Sequence, residues 1–135
     1  MATTVYRIEK DGIGMYGSGG CREEYGYDSF RHPNPDDDAK LRKATDERKG
    51  QDGKLYFDYS PFHFGFISIE QLRAWVYADD WLRSLHDSGH VLAICRSDDV
   101  LVGYSQAIFK RPEKYLKVSI KDYFNLKDEE DEESA

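Results

Sequence analysis

Cysteine is scarce in this sequence of 135 residues, and the two that occur are not placed like metal ligands. Cys21 lies in a glycine-rich segment and Cys95 lies inside an apolar run, so no Cys-x-x-Cys spacing is available for zinc binding or redox exchange. The small folds that depend on disulfides carry many more cysteines than this. We therefore expect two reduced thiols in a cytosolic protein.

Long apolar runs are missing as well. No stretch reaches the roughly 18 apolar residues that a membrane-spanning helix needs. The opening residues Met-Ala-Thr-Thr supply neither the basic nor the apolar region of a signal peptide. We expect a soluble protein that stays in the cell where it is made and makes no contact with a membrane.

Basic residues do not form a nucleic-acid-binding stripe. The chain has 19 Lys and Arg against 26 Asp and Glu, which gives a net charge of −7, and six of the acids fall in the block 128–133. No Lys/Arg stripe is interleaved with aromatic residues, so direct nucleic-acid binding is not expected. The acidic block predicts a disordered tail over 127–135, with a nearly neutral body over 1–126. This tail either aids solubility or acts as a phosphate-like decoy for a basic groove on a partner.

The motifs of common enzymes and metal sites are absent too. Gly12-x-Gly14 has no third glycine and no following helix signal, and no Ser or Cys sits in a nucleophile elbow. His86 and His90 are four apart, but Gly89 between them ends the helix that would align them. We therefore predict no catalytic residue, no metal and no cofactor, and hence no enzyme.

Residue patterns predict one domain over 1–126. A first strand over 5–9 precedes a turn at 11–14, and residues 17–62 form a long glycine-rich and aromatic-rich insertion without apolar periodicity. Within it, 39–49 favour helix by propensity but supply almost no apolar stripe, so we expect at most a solvated helical turn.

A helix begins at Ser68. Ser68 followed by Gln71 is a capping box, and apolar residues at spacings of three and four continue the stripe to 85, with Gly89 as the terminator. Asp79-Asp80 interrupts this stripe, either as a solvated face of one helix or as the cap of a second helix that begins at Trp81. Both alternatives stay open.

Strand signals dominate the remainder. Residues 90–95 indicate a strand buried on both faces, 100–109 a strand that pairs with it as a hairpin, and 116–121 a last strand with one wet face. Gly103 marks a bulge or a close backbone approach. The predicted class is α+β, with one long helix or a helix pair packed on a small, mainly antiparallel sheet.

Three separated residues resemble a known catalytic order. Arg7 on the first strand, Ser68 at a helix start and Gln106 in a late strand are similar to the Arg, Ser, Glu order of mono-ADP-ribosyltransferases. The resemblance implies that Arg7 would hold a cofactor phosphate and Ser68 would orient the nucleotide. Gln106 replaces the acid, and a neutral amide cannot stabilise an oxocarbenium ion. The implied function is binding of NAD or a related signalling nucleotide, as a sponge or a degenerate enzyme, while ordinary structural roles for Arg7 and Ser68 explain the same residues.

A second resemblance covers more of the chain. The segments Tyr6-Arg7-Ile8-Glu9, His32-Pro33-Asn34-Pro35-Asp36-Asp37, residues 64–75 from Phe64-Gly65-Phe66 onward, and Gly103-Tyr104-Ser105-Gln106 resemble a family of small accessory proteins of tailed bacteriophages. It spans 6–109, apart from about 39–62. The resemblance implies a viral accessory protein that acts in a bacterial cytoplasm, and it assigns no reaction.

These observations favour a non-enzymatic protein that binds and inhibits a host defence component, with anti-CRISPR-like activity as the most concrete form. The partner would be a host protein or nucleoprotein complex, and a structural virion part, which would form oligomers, is a further alternative. Aromatic residues of the insertion would anchor the interface and acids would steer a basic partner, although the aromatics could instead pack beneath the loop. The candidate binding residues are Tyr25, Tyr27, Phe30, Asp36, Asp37, Asp38, Tyr56 and Tyr59.

Overall fold

The structure is a computed structural model, and it describes residues 2–15, 17–20, 32, 35–112 and 114–126. Several predictions fall outside these residues: the candidate contacts Tyr25, Tyr27 and Phe30, the thiol of Cys21, and the tail 127–135. The side chain of Asp36 is also outside the described set.

Within the described residues, seven strands form two sheets, and each of their pairings is antiparallel. The first sheet has the order β2-β1-β4-β7 and the second has the order β3-β6-β5. The strands are β1 Thr3–Lys10, β2 Ile13–Gly14, β3 Phe62–Gly65, β4 Val91–Ser97, β5 Val100–Val102, β6 Ala107–Lys110 and β7 Leu116–Val118. A bridge between Tyr6 and Phe66 joins the two sheets at β1.

In the part of the chain that the structure describes, four α-helices accompany the sheets. They are α1 Ala39–Gln51, α2 Ile69–Trp75, α3 Asp79–Asp87 and α4 Ile120–Tyr123, and a 3-10 turn at Pro35–Asp37 precedes α1. The α+β class predicted from the sequence is confirmed. In the described part of the chain no helix has the length and apolar content to cross a membrane.

Strand β1 confirms the first predicted strand and extends it at both ends. The turn after it is equally local in origin, since Asp11 and Gly12 take φ values of 52° and 80° and allow β2 to fold back on β1. Left-handed backbone of this kind is the usual device of a tight hairpin.

The predicted hairpin between 90–95 and 100–109 is wrong. Strand β4 pairs with β1 and β7, whereas β5 turns at 103–106 and pairs with β6 in the other sheet. The hairpin prediction relied on the closeness of the two segments in the sequence. Most of β4 is buried or half-buried, and a position between two strands satisfies its backbone hydrogen bonds on both sides. The predicted last strand also ends early, at Val118, because Ser119 caps helix α4 through the backbone N–H of Asp122.

The expectation of a solvated helical turn over 39–49 is wrong as well. Helix α1 has 13 residues although its apolar stripe is minimal. Leu41 and Thr45, four apart, are buried by packing that the sequence pattern did not reveal, and Arg48 forms a two-armed pair with Asp99 at 2.9 and 2.7 Å. Tertiary contacts, rather than periodicity, therefore stabilise this helix.

The Ser68 cap is confirmed. The backbone N–H of Gln71 donates to Ser68 Oγ at 3.0 Å, and the Gln71 side chain accepts from the N–H of Ile67 at 3.0 Å. Two helices follow rather than one, and the second begins at Asp79, two residues before the predicted start, with Asp79 and Asp80 in its first turn. Gly89 ends α3 at a φ of 94°, as predicted.

The apolar core lies on both faces of the first sheet. Helices α2, α3 and α4 cover one face and bury Leu72, Trp75, Trp81, Leu82, Leu85 and Ile120 against Ile8 and Leu92. On the opposite face Val5, Ala93 and Cys95 meet Phe109 of the second sheet. Burial raises the pKa of the Cys95 thiol, which agrees with its expected state as an inert reduced cysteine.

Asp38 connects the insertion to the second sheet. It caps α1 through Leu41 N–H at 3.2 Å, and it accepts from the backbone N–H groups of Tyr104 and Ser105 at 3.0 and 2.8 Å. A Cβ on Gly103 would lie 2.6 Å from Asp38 Oδ2, which confirms the close backbone approach predicted there.

We predict that Asp38→Asn lowers the free energy of unfolding by about 1–3 kcal/mol, because an amide nitrogen would replace an oxygen that accepts backbone hydrogen bonds. Denaturant unfolding checks this, with exposed Asp37→Asn as the matched control. Equal effects of the two substitutions would contradict the role assigned to Asp38.

The same carboxylate predicts a pH dependence. Burial raises the pKa of Asp38, but the hydrogen bonds from Ser105, Tyr104 and Leu41 outweigh that effect and the net pKa is lowered. Its stabilisation is therefore fully present above its ordinary pKa of 3.8 and lost as the pH falls below it. We predict that the free energies of unfolding of the native protein and of Asp38→Asn differ at pH 6 and become equal as the pH approaches 2. Denaturant unfolding measured from pH 6 to pH 2 checks this.

Candidate functional site

Arg7 and Glu9 lie two residues apart on β1, so their side chains share the face that carries Val5. Both are buried, with side-chain exposures of 8 % and 1 %. The register with β4 places Arg7 opposite Ala93 and Glu9 opposite Val91, whose side chains offer no charge. Two opposite charges are thus fixed inside the protein by strand geometry alone.

Glu9 is the centre of a buried ion network. Its carboxylate accepts from Arg7 Nε at 3.1 Å, from Arg111 Nη2 at 2.8 Å and from the Tyr115 hydroxyl at 3.0 Å. Arg111 also stacks on the Tyr115 ring, 4.2 Å from its centroid, and donates to the carbonyl of Gly12 at 3.1 Å. The network joins β1 to the segment that follows β6.

This network holds more positive than negative charge. Two guanidinium groups share the single carboxylate of Glu9. Burial lowers the pKa of Arg7 against the opposing effect of Glu9, and Arg111 lowers it further. Burial and these same two arginines lower the pKa of nearby His63 against the opposing effect of Glu9, so the surroundings disfavour a further positive charge on this ring.

A pocket of about 230 Å³ opens beside Arg7. Apolar side chains form much of its wall, and Arg7 and Gln106 supply polar groups. Its lining comprises Arg7, Ile8, Gly14, Met15, Gly17, Phe64, Gly65, Phe66, Trp75 and Gln106. Such a combination of apolar walls and a few polar groups is typical of small-molecule sites.

Glycines let backbone approach the guanidinium closely. A Cβ on Gly14 would lie 3.0 Å from Arg7 Nη2, and a Cβ on Gly65 would lie 2.6 Å from the Val5 side chain. Arg7 Nη1 donates to the carbonyl of Phe64 at 2.7 Å, which fixes the plane of the group. Nη2 makes no hydrogen bond within the described residues, and Arg7 and Gly14 both line the pocket.

The structure brings together two of the three residues that resemble the transferase order. Arg7 and Gln106 line the same pocket, although 99 positions separate them in the sequence. Ser68 is not part of that lining, and its hydroxyl caps α2. The ordinary capping explanation therefore accounts for Ser68.

A separate exposed surface lies at the end of the insertion. Leu55 and Tyr56 are 84 % and 83 % exposed. In the segment that follows them, Phe57 contacts the rings of Tyr59 and Phe62, with centroid separations of 4.7 and 5.3 Å. Tyr59 thus belongs to a small aromatic cluster, whereas Tyr56 faces outward. We call Leu55 and Tyr56 the exposed pair.

The three consecutive acids do not form one charged surface. Asp38, predicted to steer a partner, is 4 % exposed and occupied by backbone hydrogen bonds. That prediction is wrong for Asp38, because a carboxylate that caps a helix and binds a neighbouring loop is turned inward. Asp37 is exposed.

His90, one of the two histidines considered as metal ligands, lies between two serine hydroxyls, with Ser18 Oγ at 2.7 Å and Ser88 Oγ at 3.0 Å. Among the described residues no group of His, Cys, Asp or Glu is arranged to hold a metal.

Sequence reasoning missed Glu9, Arg111 and Leu55. The alternation Arg7-Ile8-Glu9 on a strand was a usable signal, since opposite charges at i and i+2 share a face. Leu55-Tyr56 was visible as an apolar pair in a polar stretch. Arg111 had no comparable signal, because its contact with Glu9 spans 102 positions.

Comparison with known protein families gives a match over most of the chain. The profile of the family described as Bacteriophage T4 Y00F protein matches residues 1–122. This interval is wider than the one that carried the phage resemblance, and it includes the insertion. No curated protein and no solved structure shows significant similarity.

We predict that Arg111→Met lowers the free energy of unfolding by about 2 kcal/mol, since it removes a partner of a buried carboxylate whose other partners remain. Exposed Arg96→Met is the control and should change stability by less than about 0.5 kcal/mol. Chemical denaturation of both variants measures the difference, and a neutral effect of Arg111→Met would exclude a stabilising network.

Proposed function

Since the chain belongs to the Bacteriophage T4 Y00F protein family, we propose that this phage-encoded accessory protein binds a bacterial defence component and inhibits it without catalysing a reaction. The site of action is the host cytoplasm. Inhibition of a CRISPR effector is the most concrete form of the proposal. The exposed pair Leu55 and Tyr56 is the observation that carries it.

The exposed pair has the properties of an interface anchor. Adjacent Leu and Tyr side chains that are both more than four-fifths exposed leave apolar area in water that a partner could bury. Tyrosine is enriched among the residues that dominate binding energy, because a rigid ring buries large area at low entropic cost. The ring of Phe57 contacts those of Tyr59 and Phe62 in the segment that directly follows the exposed pair. We infer that this aromatic cluster holds the pair in one orientation.

Charge supports a basic partner. The sequence block 128–133 contains six acids, and Asp37 adds an exposed carboxylate. Effectors that bind nucleic acid present basic grooves, and complementary charge raises the rate of encounter. The groove lined by Tyr56 is itself more basic than acidic, with Arg48, Lys49, Lys54 and Lys110 against Asp52 and Asp58, so it does not supply this complementary charge. The tail is therefore the steering element in this proposal, and the exposed pair is the anchor.

The alternative is an ADP-ribosyltransferase-like domain that binds NAD or a related signalling nucleotide. One observation favours it, because Arg7 and Gln106 line one pocket. Two count against it: Ser68 is used as a helix cap, and about 230 Å³ is below the roughly 300–1,000 Å³ of pockets that enclose drug-sized ligands. A dinucleotide would extend well outside. Thermal shift with NAD, ADP-ribose and cyclic nucleotides distinguishes the two functions, because only the alternative predicts stabilisation.

The test of the leading proposal uses phage plaquing on bacteria that carry an active defence system. We predict that the intact protein restores plaquing of a targeted phage and that the double variant Leu55→Ser, Tyr56→Ser does not, because the interface loses its apolar anchor. Circular dichroism should show both proteins folded, since these side chains make no core contact.

The matched control places the same two substitutions elsewhere. Tyr104→Ser with Leu116→Ser removes one Tyr and one Leu that are 76 % and 64 % exposed outside the insertion. The control protein should retain activity. Loss of activity in both double variants, or in neither, would contradict the role of the exposed pair. Failure of the intact protein to protect phage against any defence system tested would contradict the function.

A further inference from the structure

We propose that the pocket beside Arg7 binds a small organic oxyanion, a carboxylate or phosphate monoester that carries one flat apolar group. This inference does not depend on the exposed pair or on inhibition of a defence component. It rests on the charge of the buried network, on the open edge of one guanidinium and on the shape of the pocket.

The charge of the network requires a counterion. Arg7 and Arg111 each bond to Glu9, and no second carboxylate bonds to either arginine within the described residues. Arg111 is 17 % exposed and stacks on Tyr115, so solvent and the aromatic face compensate it in part. Arg7 is only 8 % exposed. A buried cation without full compensation is costly, and an anion in the adjacent pocket would relieve that cost.

The free edge of Arg7 has the right geometry. Nε bonds to Glu9 and Nη1 bonds to the Phe64 carbonyl, which holds the guanidinium plane in place. The N–H groups of Nη2 make no hydrogen bond within the described residues, and Arg7 lines the pocket. A fixed guanidinium edge binds carboxylate or phosphate oxygens with strong, charge-assisted hydrogen bonds. Preorganisation by Glu9 and Phe64 means that little side-chain entropy is lost on binding.

The apolar side chains that line the pocket indicate what the uncharged part of the ligand would be. Phe66 and Trp75, with ring centroids 5.7 Å apart, form an aromatic side, and Ile8 and Met15 complete the apolar lining. A volume of about 230 Å³ accommodates a single ring with its acidic group, but not a dinucleotide. The combination therefore favours a monocyclic acid over a large cofactor.

Gly14 controls access to the cation. A Cβ at this position would lie 3.0 Å from Nη2, 3.2 Å from Cζ and 3.3 Å from Nη1 of Arg7. Its φ is not in the left-handed region, so alanine is compatible with the backbone. Gly14→Ala would press a methyl group against the face of the guanidinium group, and displacement of that group would misalign its N–H donors for an oxyanion.

The experiment titrates the full-length protein with sodium benzoate and with benzamide, its neutral isostere, and follows binding by calorimetry and by chemical shifts of the Arg7 side chain. We expect benzoate to bind at least about tenfold more tightly, because only benzoate offers a charged acceptor. This comparison needs no variant. Measurable and equal affinities of benzoate and benzamide would overturn the proposal, and so would failure of both benzoate and phenyl phosphate to bind.

Variants then locate the site. Gly14→Ala should weaken benzoate binding at least about tenfold by loss of the charge-assisted bonds. Gly50→Ala is the matched control, since a Cβ at this helical position meets nothing within 4 Å, and it should bind as the native protein does. Equal binding by both variants would overturn the assignment to this pocket.

Phenyl phosphate, a phosphate monoester with a single ring, provides the second arm. Binding of phenyl phosphate that Gly14→Ala weakens, without a response to benzoate in the shifts of Arg7, would support the oxyanion site and assign its ligand to the phosphate monoesters. Tighter binding of benzoate would assign it to the carboxylates. Binding of both compounds at a location that leaves the Arg7 signals unchanged would overturn the proposal.

Discussion

The burial of Glu9 is the constraint on which the functional end of this protein depends. A carboxylate that is almost fully removed from water must be compensated, and the partners that compensate it come from β1 itself and from the segment after β6. Arg111 directly follows β6, the central strand of the second sheet, whereas Glu9 lies on β1 of the first sheet. The bond between them therefore links the two sheets. The same interaction holds Arg7 with one edge open toward the pocket. The hydrogen bonds of Glu9 thus both link the two sheets and position Arg7 at the pocket.

Asp38 does a similar task for the insertion. It begins α1 and at the same time binds the loop between β5 and β6, in a space that only Gly103 leaves open. The segment 35–62 is therefore attached to the second sheet at its start by Asp38, and near the end of α1 by the pair between Arg48 and Asp99. The exposed pair follows this anchored helix. A surface built in this way can present apolar side chains to a partner while its base remains part of the folded domain.

The comparison of sequence with structure separates local from distant causes. Ser68 with Gln71, Gly89 at the end of α3, and the strand at the start of the chain were all predictable, because each depends on neighbours within a few residues. The hairpin assigned to β4 and the weak helix assigned to 39–49 were wrong, since both depend on partners far along the chain. In the candidate site, Arg7 and Gln106 were identified by resemblance, but Glu9 and Arg111 became visible only when the fold brought them within 2.8 Å. The phage family was predicted from residue patterns, and the family match over 1–122 confirms it.

A double-mutant cycle between Glu9 and Arg111 tests the central claim most directly. Unfolding free energies of the native protein, Glu9→Gln, Arg111→Met and the combined variant give the coupling energy of the pair. The account predicts a favourable coupling of about 1–3 kcal/mol, because each single substitution leaves a charged partner buried without its full complement. Additive effects of the two substitutions, with a coupling near zero, would show that Glu9 and Arg111 do not act together and would contradict the account.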